Sequence, residues 1–221
     1  MLEAESSEYL TPGQFVESDS VEIHQFVSRV TQKKGDLKDR VVQLFYAVRD
    51  EVAYDPYDDF YAEDVFSARR CLERKRGFCI PKAALMAAGC RTLGVPARIG
   101  FADVKNHLAS PRILKANGGP VFFWHAFTEV WLGERWLKAT PTFDVELCKR
   151  AKIKPLDFDG ENDSIFHEFD EAGNHHMDYV KYRGSYADVP AACVLNTWRS
   201  KAPGILKPDF VRKDKAFIDE I

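Results

Sequence analysis

Cys79, in the segment RGFCIPKAALMAAGCRTLGVPAR, has the setting in this chain best suited to nucleophilic chemistry. It directly precedes an alanine-rich run that has Pro81 where a first helical turn tolerates proline, and that ends at Gly94 and Pro96. A thiol at a helix N-terminus meets unpaired backbone N–H groups and the positive end of the helix dipole, which stabilise a thiolate. The sequence therefore predicts either a nucleophile with a lowered pKa or a small apolar core residue at position 79.

The other four cysteines lack this setting. Cys90 falls about three turns further along the predicted helix, where a small buried hydrophobe is expected, and the same role is expected for Cys71, Cys148 and Cys193. Five cysteines without a CxxC pair argue against a disulfide framework and a zinc site, and they favour reduced thiols in a cytoplasmic compartment.

The C-terminal region contains acids and histidines that could form a metal site or border a substrate cleft. Their spacing does not match that of a calcium-binding loop, and scattered loop residues of these types are usually solvated. We therefore expect no metal and no cofactor from this set, which comprises Asp157, Asp159, Asp163, His167, His175 and His176.

A thiol nucleophile needs a base, and the base needs a group that orients it. His125 lies in the hydrophobic segment FFWHAFTEVW, which has the pattern of a strand. A polar residue there is either a satisfied core histidine or part of a site.

The strand that carries His125 is predicted to form a hairpin. Strand-like residues over 121–132 and 135–140 flank Gly133 and Glu134, and glycine in the first turn position suits a type II′ turn. Aromatic residues and opposite charges would then face each other across the two strands. The predicted cross-strand pairs are Leu132 with Arg135, Trp131 with Trp136, Glu129 with Lys138, and His125 with Thr142.

These segments resemble, in order and spacing, the transglutaminase-like superfamily and its papain-like triad of cysteine, histidine and aspartate. The similarity runs from about residue 54 to residue 144, through GFC, GVPAR, HAFTEV and RWLKATPTFD. It implies that Cys79 is the nucleophile and His125 the general base. It also implies an α+β fold, with a helical N-terminal half whose nucleophile helix packs on an antiparallel β-sheet.

The third member of the triad departs from the family pattern. Thr140 stands where the family has its aspartate, and a hydroxyl cannot supply an anionic partner for an imidazolium. Because side chains alternate along a strand, Asp144 would share the face of His125 if the strand continued. We predict that Asp144 orients His125. The alternatives are that an aspartate or asparagine from elsewhere in the chain orients it, or that Cys79 and His125 act as a weakened dyad without a third residue. The Cys79 N–H is expected to hold the oxyanion, and candidates for a second donor are Tyr54 and Tyr57.

Composition limits the possible partners and the domain organisation. A chain of 221 residues with 45% hydrophobic residues can bury one substantial core. We predict a core domain over 1–154 and a C-terminal elaboration over 155–221 that packs on the core and could cover the Cys79 cleft. A net charge of −3 and the absence of a long apolar run argue against nucleic-acid and membrane partners, and the first residues do not resemble a secretory signal.

The predicted function is thiol-dependent cleavage of an amide in a peptide, a protein or another substrate. Water would give hydrolysis through a Cys79 thioester, whereas an amine would give acyl transfer, as in a transglutaminase. Two alternatives stay open. One is an inactive member of the family that acts as a binding or scaffolding module, and the other is a redox-sensing thiol protein.

Overall fold

The computed structural model describes residues 7–32, 35–107, 109–166, 177–211 and 217–220. The α-helices in these ranges are α1 (Val21–Val30), α2 (Leu37–Glu51), α3 (Ala68–Arg74), α4 (Cys79–Thr92), α5 (Pro111–Asn117), α6 (Val145–Ala151) and α7 (Ala191–Lys201). The strands are β1 (Ala53–Tyr54), β2 (Arg76–Gly77), β3 (Ala97–Asn106), β4 (Val121–Leu132), β5 (Arg135–Ala139) and β6 (Met177–Tyr186). This is the predicted α+β fold. No helix in the described ranges combines the length and the apolar character needed to cross a bilayer.

Helix α4 is the central helix of the core. Every residue from Ile80 to Arg91 is buried, and the helix contacts α1, α2, α3, β3 and β4. Its small residues allow this close packing: a Cβ on Gly89 would lie 2.7 Å from the Leu44 side chain of α2. The Thr128 hydroxyl of β4 donates a hydrogen bond to the Ala83 carbonyl (2.9 Å), which holds β4 against the first half of α4.

The main sheet has four antiparallel strands in the order β5-β4-β3-β6. The register of β4 against β5 is the predicted one, with the pairs Leu132 with Arg135, Trp131 with Trp136, and Glu129 with Lys138. The predicted turn type was wrong. Gly133 and Glu134 both have positive φ, 57° and 64°, which defines a type I′ turn rather than type II′.

Helix α5 lies in the segment that connects β3 with β4. Its N-cap Ser110 accepts a hydrogen bond from the backbone N–H of Ile113 (3.3 Å), Pro111 is its first residue, and Gly118 ends it at φ 80°. These are ordinary start and stop signals. Seven residues are too few for an apolar periodicity to show the helix between them.

The C-terminal region joins the core through the same sheet. Strand β6 pairs with β3 at the sheet edge, and Trp198 of α7 donates its indole N–H to the Phe123 carbonyl of β4 (3.0 Å). The described residues after 154 are therefore packed on the rest of the chain by main-chain pairing as well as by side chains.

Lys82 is a fully buried charged residue of α4 that anchors the end of α2. Its ammonium group donates hydrogen bonds to the carbonyls of Arg49 (3.0 Å) and Val52, where a helix end leaves carbonyls without helical partners. Burial lowers the pKa of Lys82 to about 8. The lysine thus holds α2, and the chain that follows it, against α4.

We expect Lys82→Ala to lower the free energy of unfolding by about 3 kcal/mol, because both carbonyls lose their donor and a cavity opens. Denaturant titration measures this change. The exposed Lys115→Ala is the matched control and should change stability by less than about 0.5 kcal/mol. Equal effects of the two substitutions would show that the buried ammonium is not the anchor.

Candidate active site

Cys79 is the first residue of α4, as the sequence predicted, and the extended residue Phe78 is the N-cap. Its half-buried thiol lines a cavity. Burial raises the pKa of Cys79 to about 11, and hydrogen bonds from the backbone at Ala126 and Ile80 lower it by less. The expected lowering of the thiol pKa was therefore wrong for this structure, because desolvation of a charged sulfur outweighs the donors at the helix end.

His125 of β4 is buried and lines the same cavity as Cys79. Its ring lies on Phe166, with 5.2 Å between ring centroids. Its Nε2 atom is buried without a hydrogen-bond partner, and burial lowers the pKa of His125 to about 4. The imidazole is consequently neutral near pH 7, so the resting pair is a thiol and an imidazole rather than a thiolate and an imidazolium.

An irregularity in the sheet sets the position of His125. The pairing of β3 with β4 shifts between Ala102 and Val104, and Trp124 has a positive φ of 64°. The carboxylate of Asp103 accepts a hydrogen bond from the Trp124 backbone N–H (3.2 Å), which stabilises this conformation. Bulges of this kind redirect the side chains beside them, so the turn of β4 at Trp124 determines where His125 points.

Thr140 and Asp144 lie beyond the last regular pair of β4 with β5, which is Thr128 with Ala139. The Thr140 hydroxyl is buried without a hydrogen-bond partner. Asp144 is instead the N-cap of α6: its carboxylate accepts hydrogen bonds from the backbone N–H groups of Leu147 and Tyr54, both 2.9 Å. The structure thus brings Cys79 and His125 together but does not place the Asp144 carboxylate in a hydrogen bond with the imidazole.

Tyr54 and Tyr57, the two candidates for an oxyanion donor, differ in position. Tyr54 lines the cavity, with its ring packed on Phe143 (4.8 Å) and Phe217 (5.6 Å). Burial, and then the charge that Cys79 would carry as a thiolate, raise the pKa of Tyr54 well above its ordinary value, so its hydroxyl is a proton donor close to the thiol. Tyr57 is buried against Phe210 and Phe217 and does not belong to the described lining of the cavity.

Other residues of the segments that resemble the family stabilise the sheet. Arg98 of β3 donates a hydrogen bond to Glu129 of β4 (2.6 Å) and lies over the ring of Trp136 of β5 (4.1 Å). The Ser185 hydroxyl of β6 donates to the same Glu129 carboxylate (2.6 Å). Residues from the GVPAR, HAFTEV and RW segments therefore connect all four strands, and they contribute to the site by holding β4 in place.

The cavity is about 140 Å³ in volume, and apolar side chains form most of its wall. Part of that wall comes from the C-terminal region, through Trp198, Ile205, Phe210 and Phe217. The acidic and aromatic composition of this region indicated only that it could cover the cleft. No local pattern could have placed these four residues beside Cys79, because they follow it by more than 100 positions.

The pKa of Cys79 leads to a testable pH profile. Iodoacetamide should alkylate Cys79 slowly at neutral pH and faster as pH rises toward about 11, because only the thiolate reacts. His125→Ala should leave the profile nearly unchanged, since the imidazole is neutral over this range. Peptide mass spectrometry measures the reaction at each cysteine. Cys193 is exposed rather than buried as the sequence predicted, so it serves as the reference thiol. A midpoint near pH 6 that rises without His125 would contradict the neutral resting pair.

The part of the chain that the structure describes contains no cluster of three or more histidine, cysteine, aspartate or glutamate residues suited to a metal ion. Three of the residues considered above as possible ligands, His167, His175 and His176, lie outside the described ranges.

The chain is similar to several solved structures. A candidate cysteine protease from Cytophaga hutchinsonii is 19% identical with a TM-score of 0.52, and the match covers 84% of this chain and 48% of that one. A protein named TGase is 21% identical with a TM-score of 0.42, and the match covers 58% of this chain and 32% of that one. The periplasmic domain of TgpA from Pseudomonas aeruginosa is also 21% identical with a TM-score of 0.42, and the match covers 60% of this chain and 45% of that one. The chain therefore spans less than half of the length of these proteins. At identities of 19–21%, such a similarity concerns the fold alone.

At the level of sequence, no curated protein matches this chain. The family model described as the transglutaminase-like superfamily matches residues 24–141, which is more than half of the 221 residues and includes both Cys79 and His125. Together with the helix-on-sheet architecture, this match establishes that the chain belongs to the transglutaminase-like superfamily.

Proposed function

We propose that this protein hydrolyses an amide bond through a thioester on Cys79, with His125 as general base. One observation carries the proposal: Cys79 and His125 are 46 positions apart in the sequence, yet they line one cavity. A nucleophile and a base that line one cavity can exchange a proton when a substrate arrives.

The reaction balances with these two side chains and water. His125 accepts the thiol proton as the sulfur attacks the carbonyl carbon, and the carbonyl oxygen becomes an oxyanion. The C–N bond then breaks, the leaving amine takes the proton from His125, and the acyl group remains on sulfur as a thioester. Water attacks the thioester while His125 accepts its proton, and the sulfur leaves as a thiol. Acyl transfer follows the same course if an amine replaces water.

Two donors would stabilise the oxyanion in this scheme. The first turn of α4 presents backbone N–H groups at Cys79 and Ile80. The Tyr54 hydroxyl supplies the second donor, because it lines the cavity and its raised pKa keeps it protonated. Such donors act strongly where water is excluded.

Acyl-enzyme trapping tests this function. The protein is mixed with the p-nitrophenyl ester and the p-nitroanilide of one acid, quenched in acid, and analysed by intact mass and peptide mapping. We expect an acyl adduct on Cys79 that decays to the free acid and takes up ¹⁸O from labelled water. Decay that depends on an added amine would indicate acyl transfer. Complete absence of an adduct on Cys79 would overturn the proposal.

The raised pKa of Cys79 and the unpaired His125 Nε2 favour, as a second candidate, a family member that retains the cleft but binds without catalysis. Binding of amides without any Cys79 adduct in the trapping experiment would support this candidate. Reversible peroxide oxidation of Cys79, again without an adduct, would support the redox-sensing thiol. The five cysteines are free, which fits the cytoplasmic location that we include in this proposal.

Asp144 has a different place in the proposed mechanism from the one expected from the sequence. Its carboxylate holds the backbone of Tyr54 to the N-terminus of α6, so we assign it as a positioning residue for the tyrosine. We expect Asp144→Ala to lower kcat by about tenfold, since one oxyanion donor loses its support.

A double-mutant cycle with Tyr54→Phe separates the two roles of Asp144. If Asp144 acts through Tyr54, adding Asp144→Ala to Tyr54→Phe should change kcat by less than about twofold, and the pH profile should keep its shape. Fully additive losses, together with a shifted pH midpoint, would restore Asp144 as the group that orients His125.

A further inference from the structure

The side chains that line the cavity indicate which kind of substrate it can hold. Among the described residues, the lining includes no aspartate, glutamate, lysine or arginine. Aromatic side chains dominate it, among them Phe60, Phe78, Phe122, Trp124, Phe143 and Trp198. A charged group placed there would lose its hydration without gaining a partner, which costs several kcal/mol.

The size of the cavity limits what can enter. Its volume is about 140 Å³, and an engineered apolar cavity of roughly 150 Å³ in another protein stays dry and binds benzene. One phenyl ring or a branched aliphatic side chain therefore fits, whereas a long acyl chain does not.

The described wall has few polar side chains. The Asn117 side-chain amide already donates to the carbonyls of Gly119 (2.7 Å) and Val121 (2.8 Å). The hydroxyl of Tyr54, the thiol of Cys79 and the imidazole of His125 belong to the proposed reaction. Asn106 and Thr142 are the other polar residues of the described lining, so most of the wall offers a substrate apolar contacts.

The acyl half of the substrate suits this cavity better than the amine half. The acyl group stays bonded to Cys79 from attack to hydrolysis, whereas the amine must leave and water must take its place. A cavity whose wall contains Cys79 together with Trp198, Ile205 and Phe210 can hold the acyl group through both steps.

We infer that the substrates are amides whose acyl group carries an uncharged, phenyl-sized apolar side chain, bound in the cavity beside Cys79. This inference rests on the proposed hydrolysis and names its substrate class. The C-terminal residues that line the cavity limit the size of the acyl group.

A binding experiment tests the inference without catalysis. Cys79→Ala protein is titrated with phenylacetamide, acetamide and succinamate, and the fluorescence of Trp124 and Trp198 in the cavity wall reports occupancy. We expect phenylacetamide to bind about tenfold or more tightly than acetamide, and succinamate not to bind. Equal or preferred binding of acetamide or succinamate would overturn the apolar acyl pocket.

Kinetics on the intact protein give the second test. Ala151 lines the cavity and is half-buried, and Ala191, the first residue of α7, is half-buried outside the lining. We expect Ala151→Leu to lower kcat/KM for phenylacetyl p-nitroanilide about tenfold and to change kcat/KM for the acetyl substrate by less than twofold. Ala191→Leu should change neither value.

Cys79 acylation with no preference among acyl groups would overturn the inference and leave the proposed function standing. No acylation by any substrate, together with normal phenylacetamide binding, would overturn the function and leave the pocket.

Discussion

Replacing Cys79 with alanine is expected to abolish acyl-enzyme formation and to lower amide hydrolysis by a factor on the order of 10⁴ or more. The thiol is the only group of the proposed mechanism that bonds covalently to the substrate, and alanine offers no substitute. The change should not unfold the protein, because Cys79 is only half-buried at the edge of the core and alanine is the smaller residue. Circular dichroism and the unfolding midpoint check that the fold is retained.

Cys90 and Cys193 provide matched controls for this substitution. Cys90 is fully buried in the same helix, and Cys193 is exposed. Cys193→Ala should leave both acylation and turnover unchanged, and Cys90→Ala should lower stability by roughly 1 kcal/mol without removing the adduct. Residual acylation of the Cys79→Ala protein, mapped to another cysteine and lost with it, would remove Cys79 from the mechanism.

Replacing Thr140 with aspartate is expected to activate the site. The His125 Nε2 atom and the Thr140 hydroxyl are both buried without partners. Continuing the register beyond Thr128 and Ala139 places Thr140 beside Phe127, which makes Thr140 a diagonal neighbour of His125 on one face of the sheet. Residues at such diagonal positions on two neighbouring strands lie roughly 7–8 Å apart, a separation that long side chains can span.

A carboxylate at position 140 would pair with the imidazolium and raise the pKa of His125 from about 4 toward neutrality. It would also fix the ring orientation, and loss of such a partner in triad enzymes lowers kcat by up to about 10⁴. We therefore expect Thr140→Asp to raise kcat by about 100-fold. NMR titration of the His125 ring protons and steady-state kinetics measure the two effects.

Acid stability offers an independent measure of the same substitution. In the native protein the folded-state pKa of His125, about 4, lies below the unfolded value of roughly 6.5. Above pH 6.5 the ring is neutral in both the folded and the unfolded protein. As pH falls from 6.5 toward 4, the unfolded protein binds a proton that the folded protein does not, so the free energy of unfolding decreases. Thr140→Asp should reduce this loss. Thr140→Asn is the uncharged control of equal size, and equal pKa and kcat values for the two variants would contradict the activation by charge.

Local sequence patterns were sufficient for the elements that carry the candidate site. Cys79 was predicted at a helix start from Pro81 and the alanine run, and His125 on a strand of a hairpin whose register the side chains indicated. These features depend on neighbours within a few positions, so spacing alone reveals them. The turn type escaped prediction because Glu134 adopts a left-handed φ that no residue type enforces.

The sequence by itself determined the family, the α+β fold and the two elements that bring a thiol and an imidazole to one place. Only the tertiary structure decided the direction of their pKa shifts, the hydrogen-bond partners of Asp144 and the shape of the cavity. The pKa values of Cys79 and His125 follow from desolvation by the whole surrounding core, and the Asp144 carboxylate caps α6 because two backbone N–H groups meet there. The wall formed by Trp198, Ile205, Phe210 and Phe217 arises from long-range packing, which leaves no local pattern in the sequence.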